Sequence, residues 1–113
     1  MCDIKNEKDF KNVNIPKVVT TNKSNLLYMS RAPIPLSKNK KFIRSKKQVC
    51  IYSFPRVALK IFSNSNKTKN EFIEDIEILR FLDLGYAVKM IEVSGSSIAV
   101  DTPADLLRVK KIL

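Results

Sequence analysis

Asp101 occupies a position at which a carboxylate could bind a metal ion. It follows the apolar residues 98–100, a predicted strand, and directly precedes Thr102 and Pro103, which begin a predicted helix. Ligands of α/β proteins bind outside the carboxyl ends of strands. A carboxylate there can hold Mg²⁺ while waters and phosphate oxygens supply the other ligands. The alternative is that Asp101 only helps to cap the helix, because Asp is common at helix starts.

Four other side chains could contact a polar ligand, and each has a plainer structural alternative. Arg31 leads into the stiff Pro-Ile-Pro segment 33–35 and could bind a carboxylate with two hydrogen bonds, or could simply be exposed. Glu74 and Glu77 could accept hydrogen bonds from sugar hydroxyls, or could be solvated charges that favour a helix N-terminus. Tyr52 could offer its hydroxyl to a ligand or could be a core aromatic residue.

The composition excludes several classes of site. The chain has no histidine, so it cannot form a Ser-His-Asp or Cys-His centre by itself. Two widely separated cysteines, Cys2 and Cys50, make neither a disulfide framework nor a zinc site, and we expect Cys50 to be buried within an apolar run. The two glycines, Gly85 and Gly95, belong to no phosphate-binding loop, so the chain alone has no evident triphosphate site.

The net charge of +10 favours an anionic partner without identifying it. Six Lys and Arg side chains lie in residues 38–47, a predicted solvated loop that could follow a phosphate backbone. Phe42 is the one aromatic residue among them, so a stacking platform for single strands is poorly supported. A non-catalytic basic module that binds nucleic acid or another anionic partner is therefore a second hypothesis, and ordinary surface solvation explains the charge equally well.

The hydropathy pattern gives an expectation for the location of the protein. The N-terminal residues contain no apolar signal-peptide region, and no apolar run approaches the length of a membrane span. We therefore expect a cytoplasmic protein.

The predicted elements combine strands and helices. Residues 17–21 and 26–30 read as a hairpin around a turn at 22–25, while residues 1–16 read as an irregular lead-in. Further strands are predicted at 48–54, 88–93 and 98–100. This alternation predicts an α/β fold with a mixed sheet covered by helices.

Start and stop signals delimit the predicted helices. One helix begins near Pro55 and breaks at 63–67. A second begins with a capping box at Thr68, continues to about residue 84 and ends at a glycine. Its core-facing stripe is predicted to contain Phe72, Ile73, Ile76 and Leu79. A third, 104–113, is capped by Thr102.

Several segments, taken in order, resemble those of the 3-deoxy-manno-octulosonate (Kdo) cytidylyltransferase family. Residues 27–35 read LYMSRAPIP, which resembles the family segment aLYFSRaPIP. Residues 48–54 are similar to its IGIYAY strand, and residues 71–80 to its acidic helix ExxESLEQLR. Residues 100–106, VDTPADL, resemble the closing VDTPEDL, and residues 14–19 are similar to the upstream NPNxVKVV.

The resemblance implies a fold, a reaction and a set of site residues. The fold would be the C-terminal part of a Rossmann-like nucleotide-diphospho-sugar transferase, usually a homodimer. The reaction would combine CTP with an acidic sugar to give a CMP-sugar and pyrophosphate, with Mg²⁺, for lipopolysaccharide or surface-polysaccharide biosynthesis. Asp101 would bind the metal and Arg31 the sugar acid, while Tyr52, Glu74 and Glu77 would line the sugar pocket.

Departures from the family pattern limit this interpretation. Residues 1–113 would be one partial domain, inactive without the N-terminal nucleotide-binding half, which a separate polypeptide could supply. Gln48 stands where many members have His, and Ile78 where many have Gln. Those two positions leave open a related octulosonate or another acidic sugar as the substrate.

Overall fold

One antiparallel sheet organises the computed structural model, which describes residues 1–94, 100 and 102–112. Within those residues its strands lie in the order β1-β4-β2-β3, and each neighbouring pair is antiparallel. The strands are β1 (Cys2–Asp3), β2 (Lys17–Thr20), β3 (Leu26–Ser30) and β4 (Lys46–Lys47).

Short helices flank the sheet and cover part of it. In the described part of the chain they are α1 (Glu7–Lys11), α2 (Arg56–Asn64), α3 (Lys69–Glu74), α4 (Leu79–Asp83) and α5 (Pro103–Lys110). No helix in these described ranges has the length and apolar character needed to cross a bilayer.

The hairpin of β2 and β3 confirms the prediction of two strands around a turn at 22–25. Lys17 pairs with Ser30 at its open end, and the register shifts near Thr20. The turn is closed by a hydrogen bond of 2.9 Å from the Thr21 N–H to the Asn25 carbonyl. β-branched residues favour the pleated strand, and the polar residues between the strands favour the turn.

The core lies between this hairpin and residues 76–81, which lead into α4. Met29 and Leu79 are fully buried, and Phe81 is nearly so. Phe81 also stacks with Phe54 and Phe62 at ring-centroid distances of 5.2 and 5.6 Å, so that α2 and residues 48–54 pack on the same cluster.

The prediction of an irregular segment 1–16 was wrong, because the segment contains β1 and α1. The side chain of Asn6 caps α1 by accepting a 2.8 Å hydrogen bond from the Asp9 N–H. Phe10 anchors the helix and is only 1% exposed. A helix of five residues with one buried side chain is too short to produce a periodic hydrophobic pattern.

The prediction of one continuous helix from 68 to about 84 was also wrong. Asp75 adopts a left-handed conformation, φ 53°, which separates α3 from α4. The guanidinium of Arg31 donates to the carbonyls of Glu74 and Asp75, groups that a continuous helix would have used internally. Of the predicted core-facing stripe, Ile76 and Leu79 are buried, but Phe72 and Ile73 are 74% and 66% exposed, contrary to the prediction.

The prediction of a strand at 48–54 was wrong: the chain bends at Cys50, and the Ile51 N–H donates to the Val49 carbonyl over 2.7 Å. A strand there would need ladder hydrogen bonds from a neighbouring strand, which local sequence does not reveal. Cys50 is exposed, contrary to the prediction that it would be buried. The basic segment 38–47 is largely irregular as expected, except that its last two residues form β4.

The remaining predictions concern the C-terminal third. Residues 88–93 are not a regular strand, although Lys89 forms an isolated bridge with Asn25. Most of the strand predicted at 98–100 lies outside the described residues. Helix α5 begins as predicted, with Thr102 as N-cap and Pro103 in the first turn, and ends at Lys110.

Candidate active site

Arg31 and Glu74 are joined where the end of β3 meets the end of α3. The Ser30 hydroxyl donates to Oε1 of Glu74 over 2.5 Å, and the Arg31 backbone N–H donates to Oε2 over 2.8 Å. In return, Nε of Arg31 donates to the Glu74 backbone carbonyl over 2.6 Å. Both oxygens of the Glu74 carboxylate thus hold β3 in place, while its contact with a sugar hydroxyl stays a prediction.

The guanidinium of Arg31 is fixed by backbone carbonyls. One terminal nitrogen donates to Val13 over 3.1 Å and the other to Asp75 over 3.0 Å. An arginine has five N–H donors, and described carbonyls accept three of these. Each terminal nitrogen keeps one further N–H, which suits the two-pronged recognition of a carboxylate.

Lys17 also stabilises this arrangement. No role for it was predicted from the sequence. Its side chain is fully buried, and its Nζ donates to the carbonyl of Asn12 over 2.8 Å and to that of Arg31 over 2.5 Å. Burial lowers the pKa of Lys17, and the negative charge of Glu74 opposes that shift. A lysine at the start of a short strand gives no sequence signal of burial, because lysine is almost never fully buried.

Tyr52 presents a buried hydroxyl. The ring is half-buried and packs beside Phe54, and the hydroxyl has no hydrogen-bond partner of normal geometry within the described ranges. Burial raises the pKa of Tyr52 to about 12; the Cys50 thiol contributes in the same direction, and the Gln48 side chain lowers it slightly. A buried hydroxyl without a partner costs free energy, so a ligand that supplied one would be favoured.

Glu74 and Glu77 do not lie on one helix, although the sequence predicted a continuous helix that would contain both. Glu74 is the last residue of α3, whereas Glu77 lies in the turn before α4. The side chain of Glu77 is exposed, and its backbone carbonyl accepts a 3.1 Å hydrogen bond from the Arg80 N–H. Glu77 is therefore free to face solvent or a ligand, while Glu74 serves the link to β3.

Asp101 lies outside the described residues, but the helix that follows it is described. Oγ1 of Thr102 accepts from the Asp105 N–H over 3.2 Å, and the Asp105 carboxylate accepts from the Thr102 N–H over 3.0 Å. This reciprocal pair completes the cap of α5. Elsewhere in the described ranges, no cluster of three His, Cys, Asp or Glu side chains could hold a metal ion.

A wide cleft of about 1630 Å³ brings several of these residues to one surface. Its lining includes three predicted site residues, Arg31, Tyr52 and Glu77, but not Glu74. Segments from the whole length of the chain contribute, from β1 through residues 48–54 to α5. The cleft combines cationic, anionic and hydroxyl groups, which is the mixture that an acidic sugar requires.

The chain is similar to curated proteins named 3-deoxy-manno-octulosonate cytidylyltransferase. The protein from Christiangramia forsetii is 36% identical over 111 residues, which cover 97% of this chain and 45% of that protein. The Acidobacterium capsulatum protein is 37% identical, with 95% and 44% covered, and an Escherichia coli protein is 35% identical, with 86% and 39% covered. No family model matches the chain.

The fold is also that of a solved enzyme. The structure of CMP:2-keto-3-deoxy-manno-octonic acid synthetase complexed with CTP superposes with a TM-score of 0.85 at 32% identity. The superposition covers 98% of this chain and 46% of that one.

The fold is that of an α/β nucleotidyltransferase, which confirms the predicted fold class. Sequence and structure agree on the narrower assignment as well: the chain belongs to the Kdo cytidylyltransferase family, as the motif series implied. It spans about half the length of the curated relatives it matches.

Proposed function

We propose that this chain is the sugar-binding half of a cytidylyltransferase that joins CMP to 3-deoxy-manno-octulosonate for lipopolysaccharide biosynthesis. The observation that carries the proposal is the agreement of sequence and fold over nearly the whole chain, with 36% identity to one relative and a TM-score of 0.85 to the synthetase. The single partial domain 1–113 would act together with a nucleotide-binding half and would be inactive alone.

In this proposal, different residues bind different groups of the sugar. Arg31 would hold the sugar carboxylate with its two remaining N–H groups. The carbonyls of Glu74 and Asp75 fix its guanidinium, and Lys17 holds its backbone carbonyl. Tyr52 and Glu77 would contact sugar hydroxyls from the lining of the same cleft. Glu74 would act on the sugar indirectly. Its carboxylate accepts a hydrogen bond from the Arg31 backbone N–H and so holds Arg31 in position.

The reaction follows from bringing two substrates together. The anomeric hydroxyl oxygen of the sugar attacks the α-phosphorus of CTP, a new P–O bond forms, pyrophosphate leaves and the hydroxyl loses its proton. Catalysis then consists mainly of orientation and charge neutralisation. The contribution of this chain is to hold the acidic sugar with its anomeric hydroxyl facing the nucleotide half.

Asp101 is the residue to which we assign the metal ion, Mg²⁺. The cap of α5 is already formed by Thr102 and Asp105, so the helix does not need Asp101 for that purpose. Mg²⁺ commonly takes only one or two protein carboxylates, because phosphate oxygens and waters complete its shell. When bound, the ion would neutralise charge on the phosphates of CTP.

The partners follow from the proposed reaction. They are CTP, the acidic sugar, a polypeptide equivalent to the nucleotide-binding half, and a second copy of the assembled enzyme. The cytoplasmic location expected from the sequence suits a reaction that consumes CTP.

Pyrophosphate release tests the proposal. The chain is assayed with CTP, Mg²⁺ and Kdo, first alone and then co-expressed with the complementary half of the Christiangramia forsetii relative. Activity only in the assembled form, abolished by Asp101→Asn but kept by the surface control Glu7→Gln, is the expected result. An assembled, folded complex that releases no pyrophosphate with Kdo would overturn the proposed function.

A further inference from the structure

Acidic and basic residues are distributed unevenly along the chain. Residues 10–70 contain fourteen Lys and Arg and no Asp or Glu, whereas the whole chain has 21 basic and 11 acidic residues. Such an imbalance in one stretch of a chain indicates contact with a nucleic acid or a membrane surface. The proposed sugar site accounts for Arg31 and Lys17 alone, so most of this charge has no part in the proposed function.

Three of these cations lie on one exposed loop, residues 36–43, which we call the lysine loop. Lys38, Lys40 and Lys41 are all exposed, and within the described ranges none of them forms an ion pair. Their positive charge is therefore available to a partner.

The cations that follow the lysine loop are placed differently. Lys46 forms ion pairs with Asp3 and Glu92, and the positive charge of Arg44 also acts on the Asp3 carboxylate, where it helps to lower the pKa. Charge is thus balanced next to the sheet but not on the lysine loop.

Hydrogen bonds hold the lysine loop in a defined shape. The Ser37 hydroxyl accepts from the Lys41 N–H over 2.9 Å and donates to the Lys41 carbonyl over 2.8 Å. Just beyond the loop, the buried Ser45 hydroxyl donates to the Ile34 carbonyl over 2.7 Å. A loop that is ordered before it binds loses little conformational entropy on binding.

Two large aliphatic side chains of the lysine loop are open to solvent. Leu36 is 50% and Ile43 77% exposed, and both line the same open cavity of about 270 Å³. The aromatic ring of Phe42, between them in sequence, packs on Phe10 at a centroid distance of 5.0 Å. The surface therefore combines uncompensated ammonium groups with exposed aliphatic groups.

This combination fits an anionic bilayer better than a nucleic acid or a second copy of the chain. Single-stranded nucleic acids bind through aromatic rings that stack on the bases, whereas the Phe42 ring already packs on Phe10. A second copy docked through the same loop would bring like charges together. A bilayer with anionic lipids offers negative charge at its surface and an apolar layer directly beneath it.

We propose that the lysine loop binds the surface of a membrane that contains anionic lipids. The three ammonium groups contact lipid phosphates, and Leu36 and Ile43 enter the boundary between headgroups and acyl chains. This inference goes beyond the proposed function and does not depend on it, because vesicle binding requires neither CTP nor a sugar.

Sedimentation with vesicles tests the charge. The vesicles contain equal parts of phosphatidylcholine and phosphatidylglycerol, and vesicles of phosphatidylcholine alone serve for comparison. Each basic residue near an anionic surface raises affinity about fivefold. The triple variant Lys38→Gln/Lys40→Gln/Lys41→Gln should therefore bind the mixed vesicles at least about thirtyfold more weakly than the parent chain.

The matched control removes the same charge from exposed lysines elsewhere. In Lys23→Gln/Lys60→Gln/Lys69→Gln the affinity should stay within about threefold of the parent, because salt screens charges far from the bilayer. Equal losses in the two triple variants, equal binding of the parent chain to both kinds of vesicle, or no binding to the mixed vesicles would overturn the inference. Circular dichroism of each variant verifies that the fold is retained.

Tryptophan fluorescence tests the aliphatic side chains. The chain has no tryptophan, so Ile43→Trp introduces a single reporter. On mixed vesicles its emission should shift to shorter wavelength and be quenched by lipids that are brominated on their acyl chains. The control Ile73→Trp, at a 66% exposed position of α3, should show neither change. An Ile43→Trp reporter that acyl-chain bromines do not quench would contradict insertion.

A single-stranded oligonucleotide is the competing ligand. The parent chain and the loop variant are titrated with it at the salt concentration used for the vesicles. If the oligonucleotide bound the parent chain more tightly than the mixed vesicles did, and lost that affinity in the loop variant, the lysine loop would be a nucleic-acid site and the proposed membrane contact would be wrong.

Discussion

Replacing Arg80 by methionine should destabilise the chain more than any surface substitution. Arg80 meets Glu71 through two hydrogen bonds, from Nε over 2.7 Å and from a terminal nitrogen over 2.6 Å. Glu71 is only 1% exposed. The same guanidinium donates to the carbonyls of Phe62 and Ser65 and lies 3.7 Å from the centroid of the Phe62 ring. One side chain therefore links α2, α3 and α4.

The size of the effect follows from what Arg80→Met leaves behind. The Glu71 carboxylate stays buried without its counter-charge, and loss of one partner from a buried pair costs about 3–5 kcal/mol. Small domains have a free energy of unfolding of about 5–15 kcal/mol, so the variant should lose a large part of its stability. In the double variant Glu71→Gln/Arg80→Met the buried charge is gone, so we expect part of the loss to be recovered.

Urea unfolding followed by circular dichroism measures these differences. The control is Glu7→Gln, which removes an exposed ion pair of 2.7 Å with Lys11 and should cost at most about 0.5 kcal/mol. If Arg80→Met were within about 1 kcal/mol of the parent chain, the reasoning from a buried, uncompensated charge would be refuted.

Further predictions concern ionisation and the support of Arg31. Hydrogen bonds from Arg80 hold the pKa of Glu71 below its usual value. The stability that this shift contributes is fully present above pH about 4.3 and should be lost as the pH falls through the lowered pKa. Urea unfolding midpoints measured across this pH range test the prediction. Burial raises the pKa of Tyr52 to about 12, so the free energy of unfolding should fall as the pH rises from about 10 towards that value. A phenolate absorbance titration of the parent chain should contain a late-titrating tyrosine that is missing from Tyr52→Phe. Identical titration curves at high pH would contradict the prediction. Lys17→Met leaves the carbonyls of Asn12 and Arg31 without their buried donor and should cost about 1–3 kcal/mol in urea unfolding; an unchanged midpoint would show that the ammonium does not hold them.

The sequence correctly predicted those strands and helices that form through contacts between residues close together in the chain. The β2–β3 hairpin follows from β-branched strands around a polar turn, and α5 follows from the Thr102 cap with Pro103 behind it. The motif series also placed the chain in its family, which the relatives confirm. These features depend on neighbours a few positions apart, which a single sequence displays.

Features that depend on distant partners could not be predicted. The left-handed Asp75 is stabilised by the guanidinium of Arg31, more than forty positions earlier in the chain. Lys17 is buried because it binds the Arg31 carbonyl. Residues 48–54 have strand composition, but pairing needs a second strand, which composition cannot supply. For the proposed site, the sequence predicted that Arg31 and Tyr52 contact the ligand, but not that Lys17 binds the Arg31 carbonyl.

Substrate kinetics of Arg31→Lys in the assembled enzyme test most directly whether this chain carries the sugar-acid site. The assembly contains this chain and the complementary half of a relative, and CMP-sugar formation is followed with Kdo and CTP varied in turn, beside the exposed control Arg44→Lys. The account predicts that Arg31→Lys raises KM for Kdo at least about tenfold while KM for CTP stays within about twofold, because the two-pronged carboxylate contact is lost. An unchanged KM for Kdo, or an equal rise in both values, would contradict it.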